Sequence, residues 1–504
     1  MPDFLQRISY FKENIAFICD DKSYTYAALL QSIESKRQSL QIPQGSIVAI
    51  VGDYSFAQIT YFFALYRKKC IIVPILPRNM DFDVGEFGIE FILQVHNGAI
   101  KRVDSQKYEL LQSLKDSKQS GLILFSSGST GKPKAIVHSL DTFLAAYSAK
   151  KANPLRVLSV YLPDHIAGID VVCNTLGGGG TLVIPKQRQP QFILSALKQY
   201  EIEILPASPT LLRLLLLSDI TKYDLDSLKL VIYGSEPMSE ALLASLHQAL
   251  PHTNFKQGFG TSETNAMKTK NMQEFFKIVN ASYKIVNNEL FIKSPTQALG
   301  YLNADNSVFD EQGYFATGDL VEVREEEGQK YIKIIGRAKE VINVGGEKVL
   351  PQEIEGILLK MPYIQDCLVY GESNAITGQS VSVKIVLSQT NALLNNIQLK
   401  KIIRMYCKDK LAAFKIPTKV EIVESLAMSE RFKKLRNVRG GGALNISLFV
   451  IILESQVDSK NGTFTFICNT YSQNRKKSSY SPYLKICTNH LFVPSNNYYM
   501  QRAG

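Results

Sequence analysis

The sequence predicts an α/β protein in which a large N-terminal domain of helix-covered β-sheets is followed by a small α+β C-terminal domain. Three observations carry this. From about residue 15 to 335, short apolar runs alternate with amphipathic stretches, the pattern of strands covered by helices. Near Gly336–Gly346 the texture changes to a shorter mixed unit. The chain has 504 residues, more than one ordinary core accommodates. The expected division is 1–338, 339–437, and an irregular tail over 438–504.

In chain order, Ser46–Val51 (SIVAIV) and Cys70–Ile75 (CIIVPI) read as buried strands. Ser55–Tyr66 between them has helical spacing with Ser55 as N-cap. Leu122–Phe125 (LILF) is a strand that empties into a loop. Leu211–Leu217 resembles a membrane fragment, but its length and the flanking Pro206 and Pro209 make it a buried helix. Leu228–Tyr233 is a strand ended by Gly234, and Ser239–Leu250 carries a helical apolar face. Pro351–Lys360 is amphipathic through Ile354, Ile357 and Leu358. Strands are expected at Asp366–Tyr370, Val381–Leu387 and Lys419–Val423, with a helix near Leu399–Leu411. After Gly440–Gly442 an Asn/Ser/Tyr-rich stretch shows no clear period.

Composition excludes several classes. No apolar run approaches the ~20 residues a bilayer requires. The first residues, MPDFLQRISYFKEN, lack the apolar core of a secretory signal, so the expectation is a cytoplasmic protein. The seven cysteines include no CxxC pair and the six histidines no HExxH cluster, which leaves packing thiols rather than a metal centre. The net charge is +11. The tail from residue 440 holds six basic and two acidic residues, and no basic stripe carries interleaved aromatics. Nucleic acid is therefore not an expected partner.

The densest signal is Ser126, Ser127, Gly128, Ser129, Thr130, Gly131, Lys132, Pro133 and Lys134. Glycines let backbone N–H groups face an anion, hydroxyls add donors and lysines add charge, so the chemistry suggested is polyphosphate binding. The spacing differs from GxxxxGK[ST], because only Ser129 and Thr130 separate the glycines. Farther on come Tyr161–Asp170 (YLPDHIAGID), Leu205–Leu211 (LPASPTL), Tyr233–Met238 (YGSEPM), Gln257–Glu263 (QGFGTSE), Tyr314–Leu320 (YFATGDL), Ile335–Glu355 (IGRAKEVINVGGEKVLPQEIE) and Ser429–Arg436 (SERFKKLR). Taken singly, several suit plainer roles. YGSEPM fits a helix N-terminus with Pro237 in the first turn, and SERFKKLR fits a solvated basic helix end.

In this order the motifs resemble those of the AMP-forming, adenylate-forming superfamily: acyl- and aryl-CoA synthetases, peptide-synthetase adenylation domains and luciferases. The resemblance covers about residues 10–437. It implies two steps, attack of a carboxylate on the α-phosphate of ATP to give an acyl-adenylate and pyrophosphate, then attack of a thiol to release AMP. It makes Ser126–Lys132 and Lys134 the phosphate loop. Gly234, Ser235 and Glu236 become the adenine-side turn, with Gly258, Phe259 and Gly260 bordering the base. Ser262 would contact phosphate and Glu263 would hold Mg²⁺, as a hard oxygen ligand suits that ion. Asp319 and Arg337 would reach the ribose, and His165 would frame the acyl carboxylate. Lys433 would be the catalytic lysine, with Lys434 a rival in register. Two residues depart from the family pattern there: Phe432 replaces a glycine, and Ala427 a frequent proline. Lys339 would be the hinge of a mobile C-terminal lid, and Gly345, Gly346 and Lys348 would line the thiol channel. GGEKV with Pro351 and Glu353 is closer to CoA ligases than to peptide-synthetase domains. The implied co-substrates are ATP, Mg²⁺ and CoA, with a carrier-protein phosphopantetheine as the alternative acceptor. A relative that binds nucleotide without turnover is the non-enzyme alternative. Pocket residues do not reveal the acid.

Overall fold

The computed structural model describes residues 3–80, 82–126, 133–272, 274–388, 394–427 and 434, with the backbone of 453–458 and 463–468. Two compact units divide the chain at Asn437/Val438.

The first unit is built on two seven-stranded sheets. One runs, edge to edge, through Asn254–Gln257, Leu230–Tyr233, Ile204–Ala207, Arg156–Leu158, Thr181–Val183, Ile15–Cys19 and Lys22–Thr25. It is parallel apart from its last pair. The other runs through Gly300–Tyr301, Lys134–Ser139, Gly121–Ser126, Ile71–Ile75, Ile47–Val51, Phe91–Gln94 and Ile100–Arg102. Its centre is parallel, and its strands Ile47–Val51 and Ile71–Ile75 are buried throughout, as sheets covered on both faces require.

One apolar cluster joins the two sheets through helices Tyr26–Ser39, Phe56–Arg67, Leu140–Ser148 and Ile166–Gly177, so these helices lie between them. Ser55 caps the second by accepting the Gln58 N–H. Helices Pro190–Gln199, Pro209–Leu217 and Glu240–Ala249 pack on the far face of the first sheet. The Pro209–Leu217 helix corrects one expectation. Leu211, Leu212 and Leu215 are buried but Leu217 is 52% exposed, so the leucine run is a one-sided helix rather than a buried one.

A six-stranded sheet carries the long antiparallel strands Phe315–Glu326 and Gln329–Arg337. After the turn Ala338–Glu340, a five-stranded sheet and helices Pro351–Leu358 and Asn396–Cys407 enclose a separate core that begins at Ile342 and ends at Val420. Its strands Ile364–Asn374 and Gly378–Leu387 outrun their apolar segments. The second unit contains two paired antiparallel strands, Leu453–Asp458 and Thr463–Cys468, so the tail is not wholly irregular.

Candidate active site

Four of the motifs meet at one edge of the first sheet because the strands that deliver them are parallel neighbours. Strands Arg156–Leu158, Ile204–Ala207, Leu230–Tyr233 and Asn254–Gln257 lie side by side. Ala207 is in register with Tyr233, and Tyr233 with Gln257. Their carboxyl ends release Tyr161–Asp170, the LPASPTL segment, Tyr233–Met238 and Gln257–Glu263. Ligands of open α/β sheets bind in that place. The Gly258 N–H donates to the Tyr233 carbonyl at 2.7 Å. A Cβ on Gly234 would lie 2.8 Å from the Gly258 carbonyl oxygen, so only glycine lets the two turns touch. Ser235 takes a left-handed φ of 70°.

The phosphate-loop candidate spans a hairpin of the second sheet, with Ser126 in register with Lys134. Ser127–Lys132 lie outside the described residues. The hairpin is tied to QGFGTSE by a compact node. The buried His138 Nε2–H donates to the Ser262 carbonyl at 2.9 Å, so the ring carries its proton on Nε2. The Ala298 N–H donates to the Glu263 carbonyl at 2.6 Å and the Leu299 N–H to the Val137 carbonyl at 2.7 Å. Tyr301 donates its hydroxyl to Glu263 Oε1 at 2.8 Å, while the Lys134 ammonium sits 5.4 Å from the centre of the Tyr301 ring. Asn303 closes the node by accepting the Ala135 N–H and donating to the Pro133 carbonyl. The structure thus brings Lys134, Ser262 and Glu263 together.

His138, Tyr301 and Asn303 escaped the sequence reading. For His138 a signal existed, a single imidazole in the otherwise apolar AIVH run of a strand. Burial drives its pKa down to about 4, against weaker support for the charged form from the Ser262 and Thr296 backbone. The ring is therefore neutral.

Glu263 fits Mg²⁺ in donor chemistry, as a half-buried carboxylate oriented by one phenol. Among the described residues no group of three or more His, Cys, Asp or Glu gathers, and Mg²⁺ asks for none. It takes one or two carboxylates and completes its shell with phosphate oxygens and water.

Asp319 and Arg337 are paired by strand register, and Arg337 Nε lies 2.9 Å from Asp319 Oδ1. Asp319 is 3% exposed, and its N–H donates to Thr317 Oγ1. Phe259 packs on Phe276 with ring centres 5.4 Å apart and joins the cluster of Val321 and Ile332, which places the QGFGTSE turn beside the sheet that bears Asp319.

Other candidates have local roles. His165 is the N-cap of helix Ile166–Gly177, its Nδ1 accepting the Ala167 N–H at 3.2 Å, and its ring stacks on Tyr161. Glu236 Oε2 accepts the Thr210 hydroxyl at 2.6 Å and its N–H at 3.3 Å. Lys339 is exposed in the 338–340 turn. Gly345 and Gly346 form the tip of a hairpin, with φ of 61° and 95°, the signs a two-residue primed turn demands. Lys348 beside them is exposed. Lys433 lies outside the described residues. Its rival Lys434 donates to Asp366 Oδ1 at 2.6 Å and to the Cys367 carbonyl at 3.0 Å, so that ammonium is already committed. Five described cysteines are free and buried, and burial raises Cys19 to about 11 and Cys70 to about 12, which removes them as nucleophiles. No described helix is long and apolar enough to cross a membrane.

Fold and site together define an α/β protein with a large N-terminal and a small C-terminal domain, in which a lysine-bearing hairpin meets a carboxylate-bearing turn at the carboxyl ends of a parallel sheet. Comparison with known proteins gives the class its family. Residues 93–302 match the model of the AMP-binding enzyme and residues 353–433 that of the AMP-binding enzyme C-terminal domain. A 2-succinylbenzoate–CoA ligase of Staphylococcus epidermidis is 31% identical over 340 residues, 62% of this chain and 68% of that one. A probable CoA ligase of Humulus lupulus is 28% identical over 356 residues, 64% of this chain, and the match spans 63% of the hop protein, under two thirds of its length. The o-succinylbenzoate CoA synthetase of Bacillus subtilis, solved with its acyl-adenylate intermediate, superposes with a TM-score of 0.68 at 20% identity. That match covers 88% of this chain and 99% of that one. The chain belongs to the AMP-binding enzyme family.

Proposed function

We propose that this protein is an AMP-forming acid–thiol ligase that activates a carboxylic acid with ATP and passes the acyl group to CoA. In the first step a substrate carboxylate oxygen bonds to the α-phosphorus and the bond to the pyrophosphate oxygen breaks. In the second, a thiolate bonds to the acyl carbon and AMP leaves. The node at Lys134, Tyr301, Glu263 and the His138–Ser262 bond carries this reading. It fastens a lysine-bearing hairpin to a carboxylate at the mouth of a parallel sheet. Fixed donors and charges of this kind act on charge that develops during reaction without reorganising. Glu263 would hold Mg²⁺, which when bound would further neutralise the phosphates. Asp319, made an acceptor by its charge and turned by Arg337, suits the ribose hydroxyls, and Phe259 suits the edge of the base. Lys433 adds positive charge between carboxylate and α-phosphate.

The C-terminal domain is proposed to turn about Lys339, so that the 345–348 hairpin replaces Lys433 for thioester formation. The name of the Staphylococcus epidermidis relative supplies the first acid to try, 2-succinylbenzoate. The test is acid-dependent exchange of pyrophosphate into ATP. Lys433→Ala is expected to lower exchange by about a hundredfold or more and to spare thioester formation from a supplied acyl-adenylate. Undiminished exchange in that variant contradicts the assignment. Free CoA and a pantetheinylated carrier protein, offered side by side, separate the two acceptors.

A further inference from the structure

We propose that Glu236, Lys434 and Asp366 form a latch that holds the C-terminal domain in the arrangement used for adenylation. This inference rests on the proposed two-step reaction.

Glu236 stands in the turn after strand Leu230–Tyr233, and its two carboxylate oxygens are divided between domains. Oε2 is held by the hydroxyl and N–H of Thr210 in the first turn of helix Pro209–Leu217. Oε1 accepts the backbone N–H of Lys434 at 3.1 Å. The Lys434 side chain points the other way, to Asp366 Oδ1 at 2.6 Å and the Cys367 carbonyl at 3.0 Å, both on strand Ile364–Asn374 of the C-terminal domain. Lys434 is thus gripped by its backbone from the large domain and by its ammonium from the small one. The ion pair is largely shielded, with side chains 16% and 15% exposed, so it is screened less than a surface pair. Next to it Arg213 donates to the Gln365 carbonyl at 2.9 Å, from the same helix as Thr210 to the residue before Asp366. The outlying Lys360–Glu240 pair is exposed on both sides and contributes little.

A carboxylate accepting a backbone N–H makes one of the stronger hydrogen bonds, and this one joins the large domain to a residue whose side chain the small domain holds. Rotation of the C-terminal domain carries Asp366 and the Lys434 ammonium with it and breaks the bond to Glu236. Lys434 directly follows Lys433 in the sequence. The latch therefore favours the half-reaction that uses Lys433 and must open for the other. Lys434 is a positioning residue, because its ammonium is consumed by Asp366.

The experiment compares Lys434→Met, Asp366→Asn, their double variant and Lys434→Arg in two half-reactions: pyrophosphate exchange, and thioester formation from a supplied acyl-adenylate and CoA. The latch predicts an exchange rate about tenfold lower in each single variant, no further loss in the double, and partial recovery with arginine. Thioester formation stays within about twofold or rises. Equal loss in both half-reactions overturns the latch in favour of a merely structural pair. So does a loss of about a thousandfold confined to Lys434, which makes that lysine the catalyst. A second readout needs no turnover. Spin labels at exposed Ser195 and Asp409 report the distance between domains, and Lys434→Met is expected to add a second population. An unchanged distribution counts against the latch even if the wild-type protein activates no acid, whereas absent exchange in wild type counts against the proposed reaction alone.

Discussion

Acid should loosen the His138–Ser262 node through one buried ring. His138 is 1% exposed and belongs to the Lys134–Ser139 strand, with Nε2–H on the Ser262 carbonyl. Burial lowers its pKa to about 4 from the ordinary 6.5. A base depressed in this way binds its proton more readily in the unfolded chain. Between about pH 6.5 and 4 the unfolded state carries more protons, stability rises with pH, and the loss is complete below about pH 4. At pH 5 the two values correspond to about 2 kcal/mol of lost stability, and at pH 7 to a few tenths. His138→Gln keeps a side-chain N–H for the Ser262 carbonyl and cannot titrate. Urea unfolding of both proteins at pH 7 and pH 5 isolates the ring, because the carboxylates common to both cancel in the difference. Wild type is expected to lose about 2 kcal/mol more than the variant over that interval. Equal losses, or a His138 ring that titrates near 6.5 in an NMR titration, refute the reasoning.

Two further substitutions probe the site directly. Asp319→Asn removes the charge opposite Arg337 and leaves a buried guanidinium-facing amide, so ATP affinity should fall about tenfold or more, measured by calorimetry. Unchanged affinity removes Asp319 from the nucleotide site. Gly234→Ala drives a methyl to 2.8 Å from the Gly258 carbonyl; about 1–3 kcal/mol of overpacking should lower the melting temperature and raise the KM for ATP together.

Much of this was legible because local chemistry and tertiary context agree. Ser55 caps its helix, Ser239 caps Glu240–Ala249, and the apolar runs at Ile47–Val51 and Ile71–Ile75 are strands. What stayed hidden depends on long-range contact. Tyr301 and Glu263 are 38 positions apart and His138 and Ser262 are 124 apart, and no local pattern announces either bond. Strand Ile364–Asn374 continues past its apolar half, since a residue paired on one side needs no apolar side chain. Helix Asn396–Cys407 starts earlier than its apolar face suggests, because Asn395 and Gln398 form a capping box.

The most direct measurement is AMP release. The purified full chain, given ATP, Mg²⁺ and CoA with each acid of a broad aromatic and aliphatic panel, should form AMP and pyrophosphate in equal amounts with at least one acid. Formation of AMP should stop when Mg²⁺ is withdrawn. ATP binding without AMP from any acid contradicts the central claim that this node exists to activate a carboxylate.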